Sequence, residues 1–326
     1  MLKTFLPKYL LRYMENLREK IQQLKQEKNV AVLAHYYTLP EVQDMADCVG
    51  DSLALAQQAV KLKNELVVMC GVHFMGETVK ILAPQKKVLL PDMNAGCSLA
   101  ASCEYSAFKK FVEAHSGYTV ISYVNTSAAV KSLTDICCTS SNALAIVNSL
   151  PKNEKILFAP DRNLGNYIKS QTGRDDMVIW NGACHVHEQF SVEKIVELKQ
   201  QYPNAQVLAH PECKKPVLLL ADEIGSTAAL LKYSQNSDSK EFIVATEPGI
   251  IHQMQRSSPE KLFIPVPPID STCGCNNCEY MKLITLEKLL YSLEVEVHEI
   301  TVEEELRKKA EKSIMRMLDI SEKLGL

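Results

Sequence analysis

Three short apolar runs recur along this chain at nearly equal spacing, and each closes on a polar ring. They are Val30-Ala-Val-Leu-Ala-His35, Tyr118-Thr-Val-Ile-Ser-Tyr123 and Ala205-Gln-Val-Leu-Ala-His210. His35 and Tyr123 lie 88 residues apart, and Tyr123 and His210 lie 87 apart. A small hydroxyl residue stands 17 positions beyond each ring, at Ser52, Ser140 and Thr227, and opens an apolar helical stretch. One such match is chance, but three in register mark an internal repeat.

The second half of each repeat agrees as well. A strand (Leu66–Met69, Lys155–Phe158, Glu241–Ala245) is followed by a helical stretch (His73–Leu82, Leu164–Gln171, Ile250–Ser257) and by another strand (Lys87–Leu90, Met177–Trp180, Leu262–Val266). Strands alternating with helices predict parallel sheets flanked by helices. The expected fold is α/β, with three units related by pseudo-threefold symmetry around a central cavity. Their expected bounds are 30–112, 113–200 and 201–293, after an N-terminal helix in 1–29 and before a charged helical segment in 294–326. Ligands of such sheets sit beyond the carboxyl ends of the strands. His35, Tyr123 and His210 fall at those ends, so function is expected where the three units meet.

Just past the third strand of every unit comes a cysteine: Cys97, Cys184, and the run Cys273-Gly-Cys-Asn-Asn-Cys278. Eleven cysteines is a high and odd count for 326 residues. The charged residues that break up the first 29 positions read as a helix and not as a signal peptide. Thiols kept reduced in a cytoplasm are therefore expected in place of a disulfide framework. A net charge of −3 gives no reason to expect nucleic acid or an anionic membrane. No apolar run is long enough to span a bilayer. Cys48, Cys70 and Cys137, set among hydrophobic neighbours, read as packing residues.

Three thiolates, one from each unit, suit a metal centre with one open position, whereas four would close a structural zinc or electron-transfer site. Three leave one iron of a [4Fe–4S] cluster free to act as a Lewis acid. In the third unit Cys278 is preferred because a helix follows it directly, with Cys275 as the alternative. Ser52, Ser140 and Thr227, as helix openers, can place hydroxyls and backbone N–H groups on an anion. His35, Tyr37, His210 and Glu212 are groups whose pKa can be tuned for proton transfer. Glu212 assisted by His210 is the expected base, Tyr37 an acid or orienting hydroxyl, and Tyr123 and Asn125 positioning groups. His187 and Glu188 are expected to support the second cysteine or to have no role there. Asp161-Arg162 reads equally as a phosphate contact or as a surface ion pair. Trp180 reads as packing at a strand end.

Nine segments together resemble one family, quinolinate synthase. They are Ala34-His-Tyr-Tyr37, Gly50–Ala56, Ala95–Leu99, Tyr123-Val-Asn125, Cys138–Asn142, Trp180–Glu188, His210-Pro-Glu-Cys213, Ala221–Thr227 and Cys278–Lys282, running in order over nearly the whole chain. The resemblance implies a [4Fe–4S] cluster on Cys97, Cys184 and Cys278. It implies substrate-binding positions at His35, Ser52, Tyr123, Asn125, Ser140, His210, Glu212 and Thr227. It also implies condensation of iminoaspartate with dihydroxyacetone phosphate to quinolinate, phosphate and two waters, in NAD biosynthesis. Glu279 departs from the family, which often has proline after the third ligand. Because iminoaspartate is unstable in water, transient contact with an enzyme that oxidises L-aspartate is a further expectation. Two other readings compete. One is a zinc or thiol-redox protein working through Cys275 and Cys278; the other is a cluster-dependent hydro-lyase acting on one hydroxy acid.

Overall fold

A computed structural model describes residues 8–268 and 276–326. Cys273 and Cys275 lie outside the described residues. The chain forms three four-stranded sheets, all parallel and all with the same strand order, second-first-third-fourth. The first sheet holds β1 Val30–His35, β2 Cys48–Gly50, β3 Leu66–Cys70 and β4 Lys87–Leu89. The second holds β5 Thr119–Tyr123, β6 Ile136–Cys138, β7 Ile156–Ala159 and β8 Val178–Ile179, and the third β9 Gln206–Ala209, β10 Glu223–Ile224, β11 Glu241–Ala245 and β12 Leu262–Pro265. The expected α/β class and its threefold repetition are present.

The inner strands are apolar on both faces because helices cover both faces. All six residues of β1 and all five of β3 are buried. Each fully buried Val, Leu or Ile contributes about 1.5–3 kcal/mol relative to exposure. The N-terminal helix, Lys8–Glu27, packs on β1 and on the helix Leu286–Val295. The C-terminal helix, Glu304–Lys323, lies across the first and second units. Its outer face is charged, as expected, but Ala310, Ser313, Ile314 and Met317 on its inner face are fully buried.

The sequence reading missed β2, β6 and β10. Each is two or three residues long and follows a one-turn helix, too short to show a period. An aspartate before each one fastens it. The Val32 N–H donates to Asp47 Oδ2 at 2.8 Å, the Val120 N–H to Asp135 Oδ2 at 2.8 Å and the Val207 N–H to Asp222 Oδ2 at 2.7 Å. The aspartate N–H groups return the bond to the carbonyls of Val32, Val120 and Val207. These aspartates repeat at the same 88- and 87-residue intervals as the rings, a signal that was available in the sequence.

Where the units meet, backbones come close. A Cβ at Gly249 would lie 2.8 Å from both Tyr36 O and Tyr37 Cα, so the third unit can press against the end of β1 only with glycine there. Replacing Asp47, Asp135 or Asp222 by alanine should each cost about 0.5–1.5 kcal/mol in urea unfolding. The three losses should add, because the residues sit in separate sheets with no shared partner. A triple variant as stable as the parent would show that these bonds do not hold the edge strands.

Candidate functional site

The sheet order makes the chain leave β1 and β3 on opposite sides, which opens a crevice beyond the carboxyl ends of that pair; the same happens at β5/β7 and β9/β11. The three crevices share one cavity. Every residue expected to act lines it, four from each unit. The first unit brings His35, Tyr37, Ser52 and Cys97, the second Tyr123, Asn125, Ser140 and Cys184, and the third His210, Glu212, Thr227 and Cys278.

Each lining cysteine directly precedes a one-turn helix: Ser98–Ala101, His185–Glu188 and Glu279–Lys282. Burial pushes the Cys97 thiol up to about 11 and the Cys278 thiol up to about 12, and Cys184 is also raised, again chiefly by burial. Backbone N–H groups work the other way, from Ala100 and Leu99 at Cys97, from His187 at Cys184, and from Met281 and Tyr280 at Cys278. The thiols also lie close enough that charge on Cys97 opposes ionisation of Cys184 and Cys278. Such soft donors hold iron–sulfur or zinc, and a bound metal deprotonates them. Cys70 and Cys137 are buried packing residues, as expected, whereas Cys48 is only partly buried.

Two acidic residues that sequence reasoning did not assign to the cysteines hold their loops. The Cys184 N–H donates to Asp161 Oδ2 at 2.9 Å, and the Cys278 N–H donates to Glu247 Oε1 at 3.2 Å. Asp161 also caps its helix, its Oδ1 accepting from the Asn163 and Leu164 N–H groups at 2.6 and 3.0 Å. Asp161 and Glu247 both stand two residues past the third strand of their unit, a shared position that marks them; the first unit has Val72 there. Asp161 is fully buried and makes no surface pair, its carboxylate accepting from three backbone N–H groups. Arg162 instead pairs with Glu188 at 2.8 Å. Trp180 packs edge-on against Phe108 and Phe111.

The rings are held neutral. The Tyr37 N–H donates to His35 Nδ1 at 3.2 Å and the Glu212 N–H to His210 Nδ1 at 3.3 Å, which leaves Nε2–H as the remaining donor of each ring. Burial, helped by Lys282, pushes His35 down to about 3, and burial against the pull of Glu212 pushes His210 to about 3. Burial also keeps the hydroxyls of Tyr37 and Tyr123 protonated. Burial opposes ionisation of Glu212, but His187 and the Tyr123 O–H favour it and hold the carboxyl below its ordinary range. The Tyr123 O–H donates to Glu212 Oε1 at 2.7 Å; His187 Nδ1 stands 3.2 Å from Oε2, and His210 Nδ1 3.6 Å from Oε1. His187 is thus nearer to Glu212 than the expected partner His210. Thr246, also missed, lies 2.9 Å from the Tyr37 hydroxyl and 3.0 Å from His187 Nε2.

Ser52 and Thr227 open their helices as expected, directly behind the caps Asp51 and Ser226, which accept from the Ala54 and Ala229 N–H groups. The Ser52 and Thr227 hydroxyls are released from capping, and Thr227 Oγ1 meets the Tyr37 hydroxyl at 2.8 Å. In the second unit the helix begins later, at Ala143, so Ser140 sits in the turn ahead of it.

A family model described as Quinolinate synthetase A protein matches residues 19–319. A quinolinate synthase of Nostoc punctiforme is 57% identical over 301 residues, 92% of each chain. One of Chloroherpeton thalassium is 55% identical over 306 residues, 94% of this chain and 95% of its own. One of Thermosynechococcus vestitus is 56% identical, covering 92% and 94%.

Asp161→Ala strands buried N–H donors and should cost about 1–3 kcal/mol in urea unfolding. Asp161→Asn keeps the cap oxygen but turns an amide toward Cys184, and should fall between. A loss below about 0.5 kcal/mol for the alanine variant would show that the carboxylate does not hold the loop.

Proposed function

The chain belongs to the quinolinate synthase family, enzymes of NAD biosynthesis, and from that premise we propose that its cavity holds a [4Fe–4S] cluster on Cys97, Cys184 and Cys278. The observation that carries this reading is that three thiols, one per unit and each at the start of a one-turn helix, line one cavity with the expected substrate groups. The donor set fits the group: soft and partly buried, with no fourth cysteine among the described lining residues. When bound, the cluster supplies a Lewis acid for a substrate oxygen that leaves as water.

We read the reaction as condensation of iminoaspartate with dihydroxyacetone phosphate, releasing phosphate and two waters. Both substrates are small anions, and the cavity meets them with neutral donors. His35 and His210 offer Nε2–H, and Ser52, Ser140 and Asn125 offer further polar groups. Asn125 Oδ1 is buried without a partner, in keeping with a place reserved for a ligand donor. Tyr37, protonated and hydrogen-bonded to Thr227 and Thr246, is the acid or orienting hydroxyl. Glu212 is the base. It is ionised before substrate arrives, and its low proton affinity suits passing a proton on, with His187 3.2 Å away, over storing it. Tyr123 orients this carboxylate.

We also divide the chain at 30–112, 113–200 and 201–293; each sheet falls within one of these spans. The described cysteines are unbridged, which supports a reducing, cytoplasmic setting. The competing zinc or thiol-redox reading rests on Cys275, which lies outside the described residues. Contact with an aspartate-oxidising enzyme is an expectation that rests on substrate lability alone.

Anaerobic reconstitution should give about four irons and four sulfides per chain, and the product should make quinolinate from the two named substrates. Cys97→Ala, Cys184→Ala and Cys278→Ala should each abolish both. Glu212→Gln should keep the iron and lose about 10²–10⁴-fold in turnover. Full iron uptake by the cysteine variants would refute the ligand set, and near-normal turnover of the glutamine variant would refute the base.

A further inference from the structure

The three cysteine loops are alike in backbone but differ in the side chains of the helical turn beyond. Three residues past the cysteine stand Ala100 in the first unit, His187 in the second and Met281 in the third. Only the second therefore carries a second metal-binding side chain, and Glu212 reaches it from the third unit. The ligand atoms of Cys184, His187 and Glu212 all lie within 4.8 Å of one another. His187 and Glu212 are 2% and 3% exposed. His187 Nδ1 and Glu212 Oε2 face each other at 3.2 Å, yet neither has an aligned hydrogen-bond partner. Buried polar atoms in this state need an explanation, and a bound cation is one.

We propose that the cluster-free chain binds one zinc ion on Cys184, His187 and Glu212, and that this ion blocks assembly of the iron centre by occupying the second unit's cysteine. The spacing fits the ion. Nitrogen and oxygen ligands about 2.0–2.1 Å from a tetrahedral zinc are about 3.3–3.4 Å apart, close to the 3.2 Å observed. The sulfur completes the set by a shift of up to about 1.2 Å. Both other ligands are already oriented from behind, His187 by Thr246 at Nε2 and Glu212 by the Tyr123 O–H at Oε1. On binding, the Cys184 thiol loses its proton to solvent as the zinc–sulfur bond forms, and the fourth position stays open to water. Sites of this kind take zinc ahead of ferrous iron. Cys184 cannot serve both centres at once. The blocking step rests on the cluster reading above; the zinc site itself does not.

Cobalt(II) titrated into full-length protein stripped by a chelator should bind at one ion per chain and show a thiolate-to-cobalt charge-transfer band. Cys97→Ser/Cys278→Ser should retain that band, and Cys184→Ser should lose it. His187→Ala and Glu212→Gln should each weaken binding by at least about tenfold, the lower end of what even supporting residues of metal sites contribute; the glutamine keeps the side chain's size and so guards against misfolding as the cause. Loss of the band in the double-serine variant, or unchanged affinity in the His187 and Glu212 variants, would place the ion on other thiols and overturn the site. Zinc-loaded protein should then take up less than half the iron and sulfide of the stripped protein on anaerobic reconstitution, whereas His187→Ala should take up equal amounts with and without zinc. Equal uptake by zinc-loaded and stripped parent would overturn the block. Failure of the stripped parent to build any cluster would overturn the cluster reading and the block together, while the cobalt result would still decide the zinc site.

Discussion

In each sheet the chain departs from its two central strands in opposite directions, and the crevice this opens can be filled only by what the strand ends carry. The constraint acts three times in one molecule. His35, Tyr123 and His210 end the first strands or directly follow them, while Asp161 and Glu247 follow the third strands of their units. Their side chains converge because the backbones beneath them are equivalent, and not because any residue attracts another. The edge aspartates Asp47, Asp135 and Asp222 belong to the same constraint, since each fastens the outer strand whose far end leads to Ser52, Ser140 or Thr227.

Burying so many polar groups at one place is costly unless each is neutral or partnered. Most groups of the cavity meet that condition, with Asn125 Oδ1, His187 Nδ1 and Glu212 Oε2 the exceptions. His35 and His210 give up their charge, and the tyrosines keep their protons. Burial and the charge of Glu212 raise Asp161 to about 7, against three backbone N–H groups that favour its ionised form. Burial also raises Glu247, which Lys282 offsets from 2.8 Å while donating to the Tyr37 carbonyl at 2.7 Å. Among these buried carboxyls Glu212 alone is held low.

Most of this architecture could be read from the chain, for a physical reason: a repeat spaced by 88 and 87 residues survives in the sequence wherever a strand end or a helix start demands a residue type. The rings, the hydroxyls and the cysteines obey that demand, and the helices His73–Leu82 and Ile250–Ser257 have the expected bounds. Residues in only one or two units were harder to see. Thr246 aligns with Gly71 and Pro160, and Glu247 with Asp161 and Val72, so no threefold pattern draws attention to them. Ser52 and Thr227 open their helices as expected, whereas the second unit's helix starts only at Ala143, beyond Ser140.

The three units depart from symmetry just behind their cysteines. The first unit is apolar behind its cysteine, with Val72 and Ala100, whereas the second adds His187 and the third adds Glu212 and Glu247. The first unit brings His35, Tyr37, Asp51 and Ser52 to the cavity but also lines it with Val72, Phe74 and Met75. Repetition brings the three cysteines to one cavity, and its breakdown at the positions just behind them gives each cysteine different neighbours.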